Sequence, residues 1–168
     1  MASIDIRKER ANDIPAIREV NRRAFGSDHE GKIVDALRTS HAVSVSLVAT
    51  VNDAVVGHIL YSPAVVGGVE GAALGPMAVL PEHQRQGIGS QLVAAGNERL
   101  HIAGCPFVIV IGHPGFYPRF GFTPAHRLGI TCEWDVPSDV FMVLVMDSQK
   151  AGALRGLAEY RPEFSTAS

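Results

Sequence analysis

The chain is poor in the features that mark a specialised environment. Only two of its 168 residues are cysteine, Cys105 and Cys132, and they stand in no metal-ligating or redox spacing. No disulfide framework and no metal site are expected, and a reducing compartment is. No apolar run approaches the roughly 18 residues of a membrane span. The N-terminal MASIDIRKER turns charged at once, unlike a signal peptide. Charge of one sign is lacking too: 15 Lys and Arg against 17 Asp and Glu leave a formal −2. That gives no global attraction to nucleic acid or an anionic membrane, so any anion site must be local. Repeats, linkers and low-complexity stretches are absent. What is there, 46% hydrophobic and 19% charged residues, suits one domain over residues 1–168 with a sizeable core, in the cytoplasm.

Residues Ile4 to Arg7 alternate as a short strand. ANDIPAIREVNRRAF reads as a helix capped by Asn12 or Asp13, with Pro15 in its first turn and Ile14, Ile17, Asn21, Ala24 and Phe25 on one face. A second helix starts after Ser27 or Asp28, its stripe made of Ile33, Val34 and Leu37. VSVSLVATVNDAVVGHILYSPAVV reads as a hairpin broken at Asn52-Asp53. GAALGPMAVLP is a further strand, in which Pro76 cannot donate to a ladder and so predicts a bulge or a splay from the neighbouring strand. A helix to about Ala103 follows, with Leu92, Gly96, Leu100 and Ala103 on one side. PFVIVIG suits a strand buried on both faces, HPGFYPRFGF a short turn or helix, and FMVLVMD a strand; the tail from Ser148 fits either element. The order is β-α-α-β-β-β-α-β-α-β-β, a mixed α/β arrangement.

The segment HQRQGIGSQL, residues 83–92, joins a strand to a helix. A helix start carries unpaired N–H groups and partial positive charge, and glycine lets a phosphate approach them. Two familiar phosphate loops fail on detail. A Walker loop needs Gly-Lys-Ser/Thr at its end, and the dinucleotide fingerprint wants a third glycine where Leu92 stands. For the glycines alone, a tight turn at a helix start serves equally well.

The longer pattern narrows this. Gln84-x-x-Gly87-x-Gly89 resembles the loop with which GNAT-family N-acetyltransferases hold the CoA pyrophosphate. Tyr117-Pro118-Arg119-Phe120-Gly121-Phe122, beginning 28 positions beyond Gly89, resembles the family's Tyr-x-Lys/Arg-x-Gly-Phe element. GHPGFYPRFGF and HEGKIVDALR resemble a bacterial subgroup of predicted N-acetyltransferases, the YhbS type. That subgroup often has two adjacent tyrosines where this chain has Phe116-Tyr117.

The resemblance implies a central mixed sheet splayed between its fourth and fifth strands and flanked by helices. It implies acetyl transfer from acetyl-CoA to an amine by direct attack in a ternary complex, without a metal. Backbone groups of Met77, Ala78 and Val79 would hold the acetyl oxygen and pantetheine, with the Val79 N–H as oxyanion donor. Gln84, Arg85, Gln86, Gly87, Ile88, Gly89 and Ser90 would hold the pyrophosphate, and Tyr117 would act as general acid to the sulfur. Arg85 is equally a solvated loop cation, and Arg119 reads as fixing the turn.

The base stays open. Glu30 shares the inward face of Ile33 and Val34 and could receive a substrate ammonium, but it is equally a first-turn acid favoured by the helix dipole. His113 fits a turn cap better than a proton relay, and His58 a satisfied core position. The acceptor is a small-molecule or peptide amine, not nucleic acid. Its side of the cleft falls to the two N-terminal helices and late loops, where Glu30, Glu133 and Asp135 hint at a cation. A homodimer through the late strands is compatible with the fold. Two alternatives stand beside this reading: a non-catalytic acyl-CoA sensor of the same fold, and an α/β domain binding another nucleotide.

Overall fold

The computed structural model describes residues 3–166. Strand β1 (Ile4–Lys8) pairs antiparallel with β2 (Val45–Val51), which turns back into β3 (Ala54–Val66). The turn is made at Asn52 and Asp53, with φ of 50° and 64°, two successive left-handed residues whose twist matches the flanking strands. Strand β4 (Val69–Val79) returns along β3. Helix α3 (Ile88–Ile102) then crosses over to β5 (Phe107–Ile111), which runs parallel to β4. The path continues through β8 (Phe141–Val145) to the two-residue β6 (Thr123–Pro124). Beside it, β7 (Ile130–Thr131) pairs with β9 (Gly156–Glu159), which also pairs with β3. The result is the expected mixed, mostly antiparallel sheet flanked by helices.

Helices α1 (Ile14–Phe25) and α2 (His29–Thr39) cover one face of the sheet and α3 the other. The continuous burial of β3 follows from this: Ile59 and Tyr61 point to the α3 side, Leu60 to the α1–α2 side. Helix α3 lies close to β3 because position 96 is glycine; a Cβ there would stand 2.3 Å from the Tyr61 ring. The Tyr61 hydroxyl donates to Asn97 Oδ1 at 2.8 Å.

His58 faces α1 and α2 and is fully buried. Its Nδ1 accepts from Asn21 Nδ2 at 3.3 Å, and its Nε2 lies 3.0 Å from Ser46 Oγ, which donates to Glu9 at 2.7 Å. Arg38 closes the chain with two bonds to Glu9. Burial holds His58 down at about 4, so the ring is neutral and serves as the satisfied core residue expected of it.

The details depart from expectation where tertiary contacts override local signals. Asp13 stands at the start of α1 but caps nothing there. Its carboxylate takes the Arg7 guanidinium and the Arg10 N–H instead. On α1 the buried positions are Ile17, Val20 and Asn21, while Phe25 is 43% exposed. Ahead of α2, Ser27 Oγ takes the His29 N–H at 3.4 Å, and Asp28 makes no side-chain cap. Ala103 is exposed because α3 ends at Ile102 and Gly104 turns the chain at φ 82°. The tail contains both kinds of element, β9 and a final helical turn, α4 (Glu163–Thr166).

Candidate active site

Pro76 reshapes β4 in both of the ways its missing N–H allows. The Gly75–Pro76 peptide is cis, and these two residues stand opposite Leu60 alone, a bulge in the β3–β4 ladder. On its other side β4 pairs with β5 only through Ala72–Leu74. Beyond Leu74 the two strands part, and the gap opens into a cleft of about 1200 Å³.

The ladder decides which backbone groups face that cleft. Leu80 N–H donates to Val56 O at 2.9 Å, so Leu80 and Val56 form a hydrogen-bonded pair, and antiparallel pairs alternate. Ala78, opposite His58, therefore bonds to β3, whereas Met77 and Val79 direct their N–H and C=O groups outward. Of the three strand positions expected to hold the pantetheine, Met77 and Val79 reach the cleft, and Ala78 is buried and turned away. The Val79 carbonyl is already taken by Gln84 Nε2 at 2.9 Å, which leaves its N–H as the free donor.

That bond pins the glycine loop onto the end of β4. Gln84 also spends its own N–H on Pro81 O. The N–H groups of Arg85 through Ser90 have no partner in the chain, among the described residues. Arg85 (φ 63°) and Gly87 (φ 83°) take left-handed backbone and turn these donors into one concave run, which continues into the N-terminus of α3. Partial positive charge and unpaired donors meet there. Gly89 lies against the cleft wall; a Cβ on it would come 3.3 Å from Met77 Cε and 3.7 Å from Phe116. The Arg85 side chain is exposed and lines the cleft without a carboxylate partner, among the described residues. Gln86 points away, toward Glu82 O. Glu82 in turn holds Arg23 through two bonds of 2.7 and 2.8 Å and so ties the loop to α1.

Tyr117 opens the turn Tyr117–Phe120 and is 7% exposed. Its ring packs edge-on against Phe116 and Phe122, at 4.9 and 5.6 Å between centroids. It also lies over Gly112, where a Cβ would be 2.3 Å from Tyr117 Cε2. The ring thus sits in a slot, and its side chain lines the cleft with no hydrogen-bond partner from the protein, among the described residues. Burial pushes the phenol up to about 12. Two neighbours are structural. His113 Nδ1 accepts the Gly115 N–H at 3.2 Å, the turn cap expected of it. Arg119 stacks 4.7 Å over the Phe116 ring and donates to the Phe116 carbonyl at 3.3 Å.

The far end of the cleft is built by α1, α2 and the late segments. Glu30, half-buried in the first turn of α2, lines it; Glu133 and Asp135 do not. Glu133 takes the Tyr160 N–H at 2.8 Å. Trp134, Tyr160 and Phe164 form a chain of edge-on rings, 4.9 and 5.4 Å between centroids, and all three line the cleft with Phe25. Sequence reading missed these rings and Gly112. They are scattered over more than a hundred residues, and no periodicity or spacing unites them. Among the described residues, no group of three or more His, Cys, Asp or Glu could hold a metal, and no helix is long and apolar enough to cross a membrane.

A sheet splayed at one cis-proline bulge, with an unpaired donor loop capping the crossover helix beside the gap, defines an acyltransferase of the acetyl-CoA type. The chain belongs to the GNAT acetyltransferase family. Residues 42–124 match the acetyltransferase (GNAT) domain. Over 163 residues the chain is 34% identical to the uncharacterized N-acetyltransferase YhbS of Escherichia coli K12, covering 95% of this chain and 98% of that protein. The crystal structure of E. coli YhbS in complex with CoA superimposes with a TM-score of 0.94 at 32% identity, over 100% of this chain and 95% of that one. A GNAT acetyltransferase from Brucella melitensis, crystallised with acetyl-CoA, gives 0.81 at 35% identity, over 98% and 99%.

Proposed function

We propose that this GNAT N-acetyltransferase moves the acetyl group of acetyl-CoA directly to a primary amine, both bound in the cleft between β4 and β5. The carrying observation is the alignment of free donors: Met77 and Val79 N–H on the open edge of β4, continuing into the unpaired N–H groups of Arg85–Ser90. An extended amide chain can pair with the first set while a pyrophosphate occupies the second. The relatives with CoA and acetyl-CoA bound support the same cosubstrate.

The amine arrives as an ammonium and gives one proton to Glu30 or to water. Its lone pair attacks the thioester carbonyl, a C–N bond forms, and the Val79 N–H stabilises the oxyanion. Collapse breaks the C–S bond, and the nitrogen loses a second proton. Tyr117 lends its phenolic proton to the sulfur and is reprotonated from solvent, so the net products are the amide, CoA thiol and one proton. A phenol at about 12 is a weak donor to a thiolate of ordinary basicity. A thiolate forming beside the same buried rings would be more basic for the same reason, which narrows the gap.

The test pairs binding with turnover. Calorimetry should show acetyl-CoA bound in preference to ATP and NAD; the reverse preference rejects the assignment. Tyr117→Phe should lower kcat by roughly 10²–10⁴-fold, the range for a positioned acid, with acetyl-CoA affinity little changed. An unaltered kcat removes Tyr117 from the acid role. Turnover with any amine eliminates a purely sensory protein.

A further inference from the structure

Glu30 is the single carboxylate lining the cleft among the described residues, whereas Arg85 and Arg119 line it as permanent cations. A polyamine or an aminoglycoside would bring several ammonium groups to one acid, and those left over would meet no counter-charge.

Apart from Glu30 and His29 in the first turn of α2, the far wall is apolar. Among the described residues, Phe25 and Ile111 are two of the four large hydrophobic residues that stay exposed, 43% and 37%, and both line the cleft. Exposure at these two positions falls where a ligand body would cover it. Ile33 and the Trp134–Tyr160–Phe164 rings continue the same surface. Two polar groups behind this wall are withdrawn: the Tyr160 hydroxyl is buried without a partner, and Glu133 is held by the Tyr160 N–H. A hydroxyl-rich acceptor would lose its water here and gain few bonds.

Resting on the acetyltransferase reading, we infer that the acceptor is a small primary monoamine with an aromatic or branched apolar body, its ammonium at Glu30 and its body against Phe25, Ile33 and the Trp134 ring chain.

The experiment follows thiol release from acetyl-CoA with 2-phenylethylamine, isoamylamine, ethanolamine, spermidine and kanamycin, with acetyl-CoA affinity measured separately by calorimetry. The two apolar monoamines should exceed the other three in kcat/KM by roughly tenfold or more, the discrimination apolar pockets give. Trp134→Ala and the exposed Phe25→Ser should each raise the KM for 2-phenylethylamine by roughly tenfold, since each removes a ring from the wall. Trp134→Phe should restore most of the loss, and the KM for acetyl-CoA should not move. Preference for spermidine or kanamycin overturns the inference, as does an unchanged amine KM in both folded variants. Acetyl-CoA binding without turnover of either apolar monoamine overturns the acceptor class alone. Failure to bind acetyl-CoA overturns the acetyltransferase reading, and this one with it.

Discussion

Replacing His58 with glutamine should flatten the acid sensitivity of the fold. Burial holds His58 at about 4, against an ordinary value near 6.5; the nearby Glu9 carboxylate pulls the other way, and Arg38 adds to the depression. The unfolded chain therefore binds a proton in a window where the folded chain does not. Stability rises with pH wherever the unfolded state holds more protons, so it is lost as pH falls from about 6.5 toward about 4. Integrating between about pH 7 and pH 4.5 gives a loss of about 2 kcal/mol from this one ring. For a chain of this length that is roughly 4–8 °C in Tm. The carboxylates held low in the fold (Glu9, Asp13, Glu82 and Glu163) also begin to lose stabilisation as pH falls toward their ordinary values near 4, but that loss is common to both proteins, so the difference between the two slopes isolates the ring. Urea unfolding of wild type and His58→Gln across that range measures the difference directly. The variant should start less stable, since it disturbs the Asn21–His58–Ser46 chain, yet over the window it should lose about 2 kcal/mol less than wild type. Equal pH slopes in the two proteins would refute the reasoning. The effect bears on function because the chain ties α1 and α2 to β2, and those helices carry Phe25, Glu30 and Ile33 into the cleft.

Two further substitutions probe the catalytic half. Gly112→Ala places a Cβ 2.3 Å from Tyr117 Cε2, so a ring already wedged by Phe116 and Phe122 must shift by about 1 Å, and kcat should fall on the order of 100-fold with the acetyl-CoA KM unchanged. A normal kcat would mean that the ring's position is irrelevant to the chemistry. Gly89→Val should push a branched side chain between Met77 and Phe116 at the pyrophosphate end and weaken acetyl-CoA binding by roughly tenfold or more in calorimetry, with Tm little affected; undiminished binding would displace the phosphate from this loop.

The sequence was legible where one residue's chemistry forces a backbone outcome. Pro76 has no N–H, and the ladder duly bulges on one side of it and splays on the other. Asn52-Asp53 tolerates left-handed backbone, and the hairpin turns there. Gln84, Gly87 and Gly89 mark the loop that leaves its amides free. What could not be read was parity and convergence. A run such as Met77-Ala78-Val79 does not say which residues face the partner strand; the bond from Leu80 to Val56 does, and it turns Ala78 away. Nor does local sequence say that Phe25, Trp134, Tyr160 and Phe164 meet, because their contacts are made only after the sheet has formed. The same holds for β6, β7 and β9, pairings of two to four residues that propensity cannot specify. Asp13 shows local preference overruled: the carboxylate that suits a helix cap is drawn to Arg7 on β1.

The groups to which the proposed chemistry falls are those the fold leaves unpaired. A sheet normally satisfies both edges of an interior strand, and a helix start is normally capped. Here β4 is interior to the sheet, yet Met77 and Val79 point their N–H groups into open space. Helix α3 is preceded by Gly87, which has no side chain with which to cap it. Tyr117 is buried with no protein partner for its phenol, among the described residues. Unmade bonds of this kind cost stability when they are withdrawn from water, so a chain retains them only where the surroundings over-determine the geometry. Those surroundings are rigid here: β3 is buried on both faces, Gly96 lets α3 close onto Tyr61, and Gln84 locks the loop to Val79. The donors are held in place by contacts the protein makes with itself. A substitution in that support, such as Gln84→Ala, should therefore impair acetyl-CoA binding while every free N–H remains present.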